Sequence, residues 1–189
     1  MADEFAVIIL AGGRGSRLGG VDKAAVRVGG SSLLDRTLEA ACAGKPVVVV
    51  GPRVSDREVV WTREDPPGSG PLAGLAAGLR QVPAAAELVA VLAVDHPHLT
   101  RATLHRLADA VVAESMCSGA VLIDAEGAPQ WLLGVWRVDA LRTGMPAQVS
   151  GGSVRSVLEP LDPAFVPGQG AEASDVDTPE DLRRAADDS

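Results

Sequence analysis

AVIILAGGRGSRLGGVDK, residues 6–23, decides how the rest of the chain reads. It begins as a short apolar run, Val7-Ile8-Ile9-Leu10, then breaks into five glycines, two arginines, an aspartate and a lysine. An apolar strand feeding a glycine-rich loop is how α/β proteins bring backbone N–H groups against a phosphate chain. Glycine suits such a loop because side chains would block the approach and because the backbone visits positive φ. Arg14, Arg17 and Lys23 add positive charge to the same segment. The stretch therefore reads as a cradle for a nucleotide triphosphate.

Two common phosphate loops do not fit. The dinucleotide fingerprint G-x-G-x-x-G finds Gly13 and Gly15 but meets Leu18 at the third glycine. The acidic residue it needs after the second strand is also missing, since that strand reads Pro46-Val-Val-Val-Val50-Gly51. In the other loop, G-x-x-x-x-G-K-[ST], the lysine follows glycine, whereas Lys23 follows Asp22 and precedes Ala24.

A chain of 189 residues suits one domain, expected to span 1–189, with a sizeable core. Apolar residues make up 47 %, yet aromatics only 3 %, so the core must be built from Ala, Val and Leu. A net charge of −8 argues against a broad nucleic-acid surface, which needs a basic footprint. Cys42 and Cys117 are isolated and read as reduced thiols of a cytoplasmic protein. The start, MADEF, lacks a basic segment followed by an apolar one, and no apolar run reaches the length of a membrane span. Neither a secretory signal nor a membrane partner is expected.

Along the chain, Leu33, Leu34, Thr37, Leu38, Ala41 and Cys42 recur at helical spacing, with Ser31 or Ser32 as cap. Val47 to Val50 then reads as a strand buried on both faces, so strand, loop, helix, strand points to a parallel sheet. Val59-Val60-Trp61 is a weaker strand, followed by the irregular REDPPGSGP of residues 63–71. Leu72 to Leu79 reads as a helix, and Gly74 and Gly78, four apart, leave one side nearly bare. That bareness serves either close packing on the sheet or a flat base near the helix start.

Leu88 to Val94, seven apolar residues in a row, is the strongest strand. Asp95 follows it directly, where ligands bind in open α/β sheets and on the same edge as the glycine loop. His96-Pro97-His98 has no third nitrogen or sulfur ligand nearby and reads as a surface turn rather than a metal site. A helix around Leu104 to Val112 capped by Thr100, strands at Ala120 to Ile123 and Trp131 to Trp136, and short helices at Val138 to Gly144 and from Gly151 come next. Arg155 in the last of these is a candidate phosphate ligand. Thr178 as N-cap, Pro179 at the first helical position and Asp181 three residues after the cap mark a final helix, preceded by Asp175 and Asp177.

LAGG, an arginine, Leu-Gly and then Asp-Lys, here LAGGRGSRLGGVDK, resembles the signature of the MobA-like nucleotidyltransferases. EDPPGSGPLAGL, VDHPHL, PQWLLGVWR and DVDTPEDL come after it in the family's order, so the resemblance covers most of the chain. It implies an α/β fold: a three-layer αβα Rossmann-like nucleotidyltransferase with a mostly parallel mixed sheet. It also implies Mg²⁺-dependent transfer of a nucleoside monophosphate from a triphosphate to a phosphate, releasing pyrophosphate. LAGG and GPLAG match the guanylyl-transferring members, which join GMP from GTP to molybdopterin, the organic part of the molybdenum cofactor.

By that resemblance Leu10, Ala11, Gly12, Gly13, Arg14, Gly15, Lys23, Asp65, Gly70, Pro71, Leu72 and Asp95 bind the nucleotide. Lys23, Arg17 and Asp95 are the catalytic candidates. Asp95, with Asp177 as a second candidate, would hold Mg²⁺. Proteins that deliver the cofactor or receive the product are further candidate partners. The chain departs from the family where asparagines are usual, at Asp175 and Asp177 and at Gly51, and its basic pair is reduced to Arg155. Relatives that use CTP or another phosphorylated acceptor, and a nucleotide-binding regulator without catalysis, are the competing readings.

Overall fold

Apolar strands without polar alternation must be covered on both faces, and that requirement sets the architecture. The computed structural model describes residues 5–12, 14–15 and 21–187. In chain order it contains β1 (Ala6–Leu10), β2 (Arg14–Gly15), β3 (Val21–Asp22), β4 (Arg27–Val28), β5 (Ser31–Ser32) and α1 (Leu33–Ala40). Then come β6 (Val47–Val50), β7 (Val60–Thr62), α2 (Pro71–Leu79), β8 (Leu88–Ala93) and α3 (Arg101–Ala113). The last third holds β9 (Gly119–Ile123), β10 (Pro129–Arg137), α4 (Val138–Gly144), α5 (Arg155–Leu158), β11 (Ala164–Pro167) and α6 (Pro179–Asp187).

Seven strands form one sheet in the order β11-β9-β10-β8-β1-β6-β7, while β2–β3 and β4–β5 are separate two-stranded ribbons. β1 lies parallel to β6 and β8, β6 to β7, and β9 to β11. Within this sheet, among the described residues, β10 alone runs antiparallel to its neighbours, β8 and β9. The side chains of β1 split by parity. Val7 and Ile9 join a core under α1 and α3, and Ile8 and Leu10 join one under α2, α4 and α5. The mostly parallel mixed sheet between two helical layers is the expected three-layer arrangement.

Local signals explain most boundaries. Ser32 caps α1 by accepting the Asp35 N–H at 3.0 Å. Thr100 and Thr103 form a reciprocal capping box at the start of α3. Thr178 and Asp181 do the same for α6, with 3.2 Å from the Asp181 N–H to Thr178 Oγ1 and 2.8 Å from the Thr178 N–H to Asp181 Oδ2. The helix expected through Cys42 ends at Ala40 and tightens into a 3₁₀ turn, Ala41–Ala43. The bare side of α2 faces the sheet: a Cβ on Gly78 would stand 2.6 Å from Ile8 Cγ2 and 3.1 Å from Val50 Cγ2. Close packing therefore accounts for Gly78.

Candidate active site

The register aligns the carboxyl ends of the three central parallel strands, pairing Leu10 with both Val50 and Ala93. Beyond those ends the chain turns away through Ala11-Gly12, Gly51-Pro52 and Val94-Asp95, and the three turns line a cleft of about 900 Å³. Carboxyl ends of parallel strands are where α/β sheets bind ligands. Two close approaches shape the cleft. A Cβ on Gly51 would meet Ala11 C at 3.2 Å and Gly12 N at 3.3 Å, so a bare residue lets the first two turns touch. Gly70 sits at φ 97°, a conformation suited to glycine, and turns the chain into α2 with Pro71 at its first position.

Gly12 differs from Gly78 in kind. It is exposed, and among the described residues a Cβ there would meet nothing nearer than Val50 O at 3.9 Å. Packing among the described residues does not require that glycine. Its bare backbone faces the cleft, where a ligand can approach it.

Lys23 enters from a 3₁₀ turn, Lys23–Ala25, capped by Asp22 through the Ala24 N–H at 3.1 Å. Its Nζ donates to Asp95 Oδ2 at 3.2 Å and to Asp177 Oδ1 in a short ion pair. Burial works against the ammonium charge, but the bonds and attraction from Asp177 and Asp95 outweigh it and raise its pKa above the usual lysine value. The two carboxylates meet there because the Val176 N–H donates to Asp95 O at 2.8 Å, binding the segment before α6 to the end of β8. Asp175 stands beside them. Partial burial, then repulsion from Asp177 and Asp95, pushes its carboxyl above the ordinary range.

The other oxygen of Asp95, Oδ1, is buried without a hydrogen-bond partner among the described residues. His96 Nε2 lies 3.4 Å from it. His96 is itself only 5 % exposed, so the expected surface turn is buried at this residue. His98 instead lines a second cavity of about 360 Å³, together with Asp124, Gln130, Asp175, Asp181 and Arg184.

Leu10, Ala11, Gly12, Lys23, Gly70, Pro71 and Asp95 therefore come together at one cleft, with Asp177 reaching it through Lys23. Arg14 and Gly15 form one strand of the β2–β3 ribbon beside Lys23. Gly13 and Arg17 lie outside the described residues. Leu72 is 2 % exposed, with its side chain in the core under α2. Asp65 is exposed and is not a lining residue; Arg63 and Glu64 line the cleft instead. Glu64 also accepts the Gly68 N–H at 2.9 Å, which shapes the loop leading to Gly70. The signal for Arg63 was the end of β7, which places that residue on the carboxyl edge of the sheet. Arg155 pairs with Glu159 at 2.8 Å.

Among the described residues, no group of three or more His, Cys, Asp or Glu is disposed to hold a metal. A hard divalent ion bound partly by phosphate oxygens needs fewer protein ligands, often one or two carboxylates. Asp95, with its unpartnered buried oxygen, fits that need, and Asp177 is the neighbouring carboxylate. No described helix is long and apolar enough to cross a membrane.

The MobA-like NTP transferase domain model matches residues 7–164. A probable molybdenum cofactor guanylyltransferase of Opitutus terrae is 36 % identical over 148 residues, 75 % of this chain and 71 % of that protein. A molybdenum cofactor guanylyltransferase of Bordetella pertussis is 32 % identical over 151 residues, 71 % of each. Among solved structures, molybdopterin-guanine dinucleotide biosynthesis protein A from Archaeoglobus fulgidus superposes with a TM-score of 0.73 at 23 % identity, covering 97 % of both chains. The 2-C-methyl-D-erythritol 4-phosphate cytidylyltransferase of Thermus thermophilus gives 0.71 at 22 %, covering 97 % of this chain and 98 % of that one. These two likenesses speak for the fold alone.

Proposed function

The chain belongs to the MobA-like NTP transferase family, and from that premise we propose that it transfers GMP from GTP to molybdopterin with release of pyrophosphate. The observation that carries the reading is Lys23, held by Asp95 and Asp177 at the carboxyl edge of the central strands beside a glycine turn. GTP is the proposed donor because LAGG and GPLAG match the guanylyl-transferring pattern and because curated relatives bear that name.

The physical problem is charge. An ionised phosphate must approach a polyanionic triphosphate, so catalysis consists largely of positioning and of neutralising charge. The Ala11 N–H is spent on Val50 O at 2.9 Å, so it is the bare, exposed backbone of Gly12 that lets the turn approach the polyphosphate. Lys23, with its raised pKa, stays protonated through the neutral range. An ammonium carries three donors, and two are committed to Asp95 and Asp177, which leaves one for a phosphate oxygen. Arg63 adds a second cation to the cleft wall.

Asp95, seconded by Asp177, would hold Mg²⁺. When bound, that ion neutralises phosphate charge and orients the reacting oxygens. No general base is required, because the attacking phosphate is already ionised. A base stacked near the start of α2 would lie against Gly70 and Pro71.

The test is pyrophosphate release in the presence of molybdopterin and Mg²⁺, with GTP and CTP in competition. Release driven by GTP and barely slowed by CTP is expected. Equal use of CTP overturns the donor assignment, and no release with either overturns the reaction.

A further inference from the structure

Asp177 reaches Lys23 from the β11–α6 connection, residues 168–178, which has no helix or strand of its own. A connection that long holds a side chain in place only if it is anchored. Its first anchor is the Gly168 N–H donating to Ile123 O at 2.9 Å, and its last is the Val176 N–H on Asp95 O at 2.8 Å. Between them stands Glu172, an ionisable side chain in a residue only 7 % exposed, which lines neither the cleft nor the cavity beside His98.

The Glu172 carboxylate accepts from four donors. Thr103 Oγ1 and Arg106 Nη2 each lie at 2.5 Å, the Gln169 N–H at 2.9 Å and Arg106 Nη1 at 3.4 Å. Burial alone would raise the pKa of Glu172, yet these bonds bring it below the usual glutamate value. Thr103 has one hydroxyl proton, and it goes to Glu172. In the 2.8 Å contact between the two threonine hydroxyls the donor is therefore Thr100. A directional chain thus runs from Thr100 through Thr103 to Glu172. Thr100 caps α3 five residues after Asp95, so the chain joins the two segments that carry Asp95 and Asp177.

A buried ion pair is weak evidence for stability, because well-packed apolar residues often serve as well or better. What four directed bonds supply is a fixed position, which apolar packing leaves looser. We infer that Glu172 is a positioning residue: by gripping Thr103 and Arg106 of α3, it sets where Asp177 meets Lys23 relative to Asp95. The inference rests on the reading of Lys23 and Asp95 as catalytic groups.

The test uses three variants of the full chain. Glu172→Gln keeps the shape and loses the charge. Thr103→Val removes the hydroxyl proton, and Thr103→Ser restores it. Two readouts are taken: kcat against KM for GTP in the transfer assay, and the side-chain NMR resonance of Lys23 in lysine-labelled protein without substrate. The chain contains only Lys23 and Lys45, so Lys45→Arg assigns the signal. Glu172→Gln and Thr103→Val are expected to lower kcat about tenfold or more, since small misplacements at a reacting centre are costly, with KM for GTP nearly unchanged. The Lys23 resonance should move in both, and Thr103→Ser should restore both readouts.

A lowered melting temperature with kcat and the Lys23 resonance at wild-type values overturns the inference. Should Glu172→Gln fail to fold, the two Thr103 variants decide in its place. Should the wild-type protein transfer no guanylyl group, the proposed reaction falls, and the Lys23 resonance still judges the positioning role.

Discussion

At the carboxyl end of β1 the chain leaves the sheet through Ala11 and Gly12, almost without side chain. At the end of β8, one strand away, it leaves through Asp95, whose carboxylate is gripped by Lys23. The first turn presents backbone and rests on the next strand, with the Ala11 N–H on Val50 O at 2.9 Å and Gly12 against Gly51. The second presents charge, and its partners come from 72 positions upstream, at Lys23, and from the segment before α6. One wall of the cleft is thus made by leaving atoms out, and the other by bringing distant side chains together. Backbone walls fail when atoms are added, and charged walls fail when a partner is lost.

The largest break in this comparison is expected at Lys23. Lys23→Ala should reduce kcat about 10²–10³-fold, the cost of losing one preorganised charge donor, with circular dichroism unchanged. A loss below tenfold would move the transition-state charge elsewhere.

Two glycine-to-alanine variants sharpen the other wall. Among the described residues Gly12→Ala adds a methyl that meets nothing nearer than 3.9 Å, so the melting temperature should hold while GTP binding weakens, about tenfold by titration calorimetry if the methyl meets a phosphate. Gly78→Ala should do the reverse. Its methyl would press on Ile8 and Val50 at 2.6 and 3.1 Å. The fold should lose about 1–2 kcal/mol in chemical denaturation, the overpacking cost net of the gain in helix propensity, with KM for GTP unchanged. If Gly12→Ala destabilised the fold and Gly78→Ala impaired binding, the assignment of the two glycines would be reversed.

The smallest effect is electrostatic. The folded-state pKa of Asp175 lies above its unfolded value, so its ionised form costs stability at neutral pH. Asp175→Asn should therefore raise the melting temperature slightly at pH 7. That gain should shrink as pH falls through the folded pKa toward the unfolded value near 3.8, where the wild-type carboxyl is protonated as well. A gain that persisted at acid pH would exclude charge as its cause.

The backbone wall was largely legible in the sequence. Apolar runs at 7–10, 47–50 and 88–94 marked the central strands, and the glycines and Pro71 marked the turns at their carboxyl edge. Those signals are local, because strand burial and turn geometry act over a few residues. Asp95 was legible for the same reason, since it directly follows a strand buried on both faces. The grip of Asp177 on Lys23, the staple at Glu172 and the burial of His96 were not. They depend on how α3 and the 168–178 segment pack, which no short-range pattern encodes. Arg63 and Glu64 went unread because the loop around them is irregular, and an irregular loop has no period that assigns each residue a face.

The central claim is that the β1 turn and the Lys23–Asp95 pair together hold the triphosphate. A crystal structure with a non-hydrolysable GTP analogue and Mg²⁺ tests it most directly. The account predicts phosphate oxygens on the Ala11–Gly12 turn and on Lys23 Nζ, with the metal on Asp95. A polyphosphate bound elsewhere, with Lys23 still engaged only by its two aspartates, would contradict it.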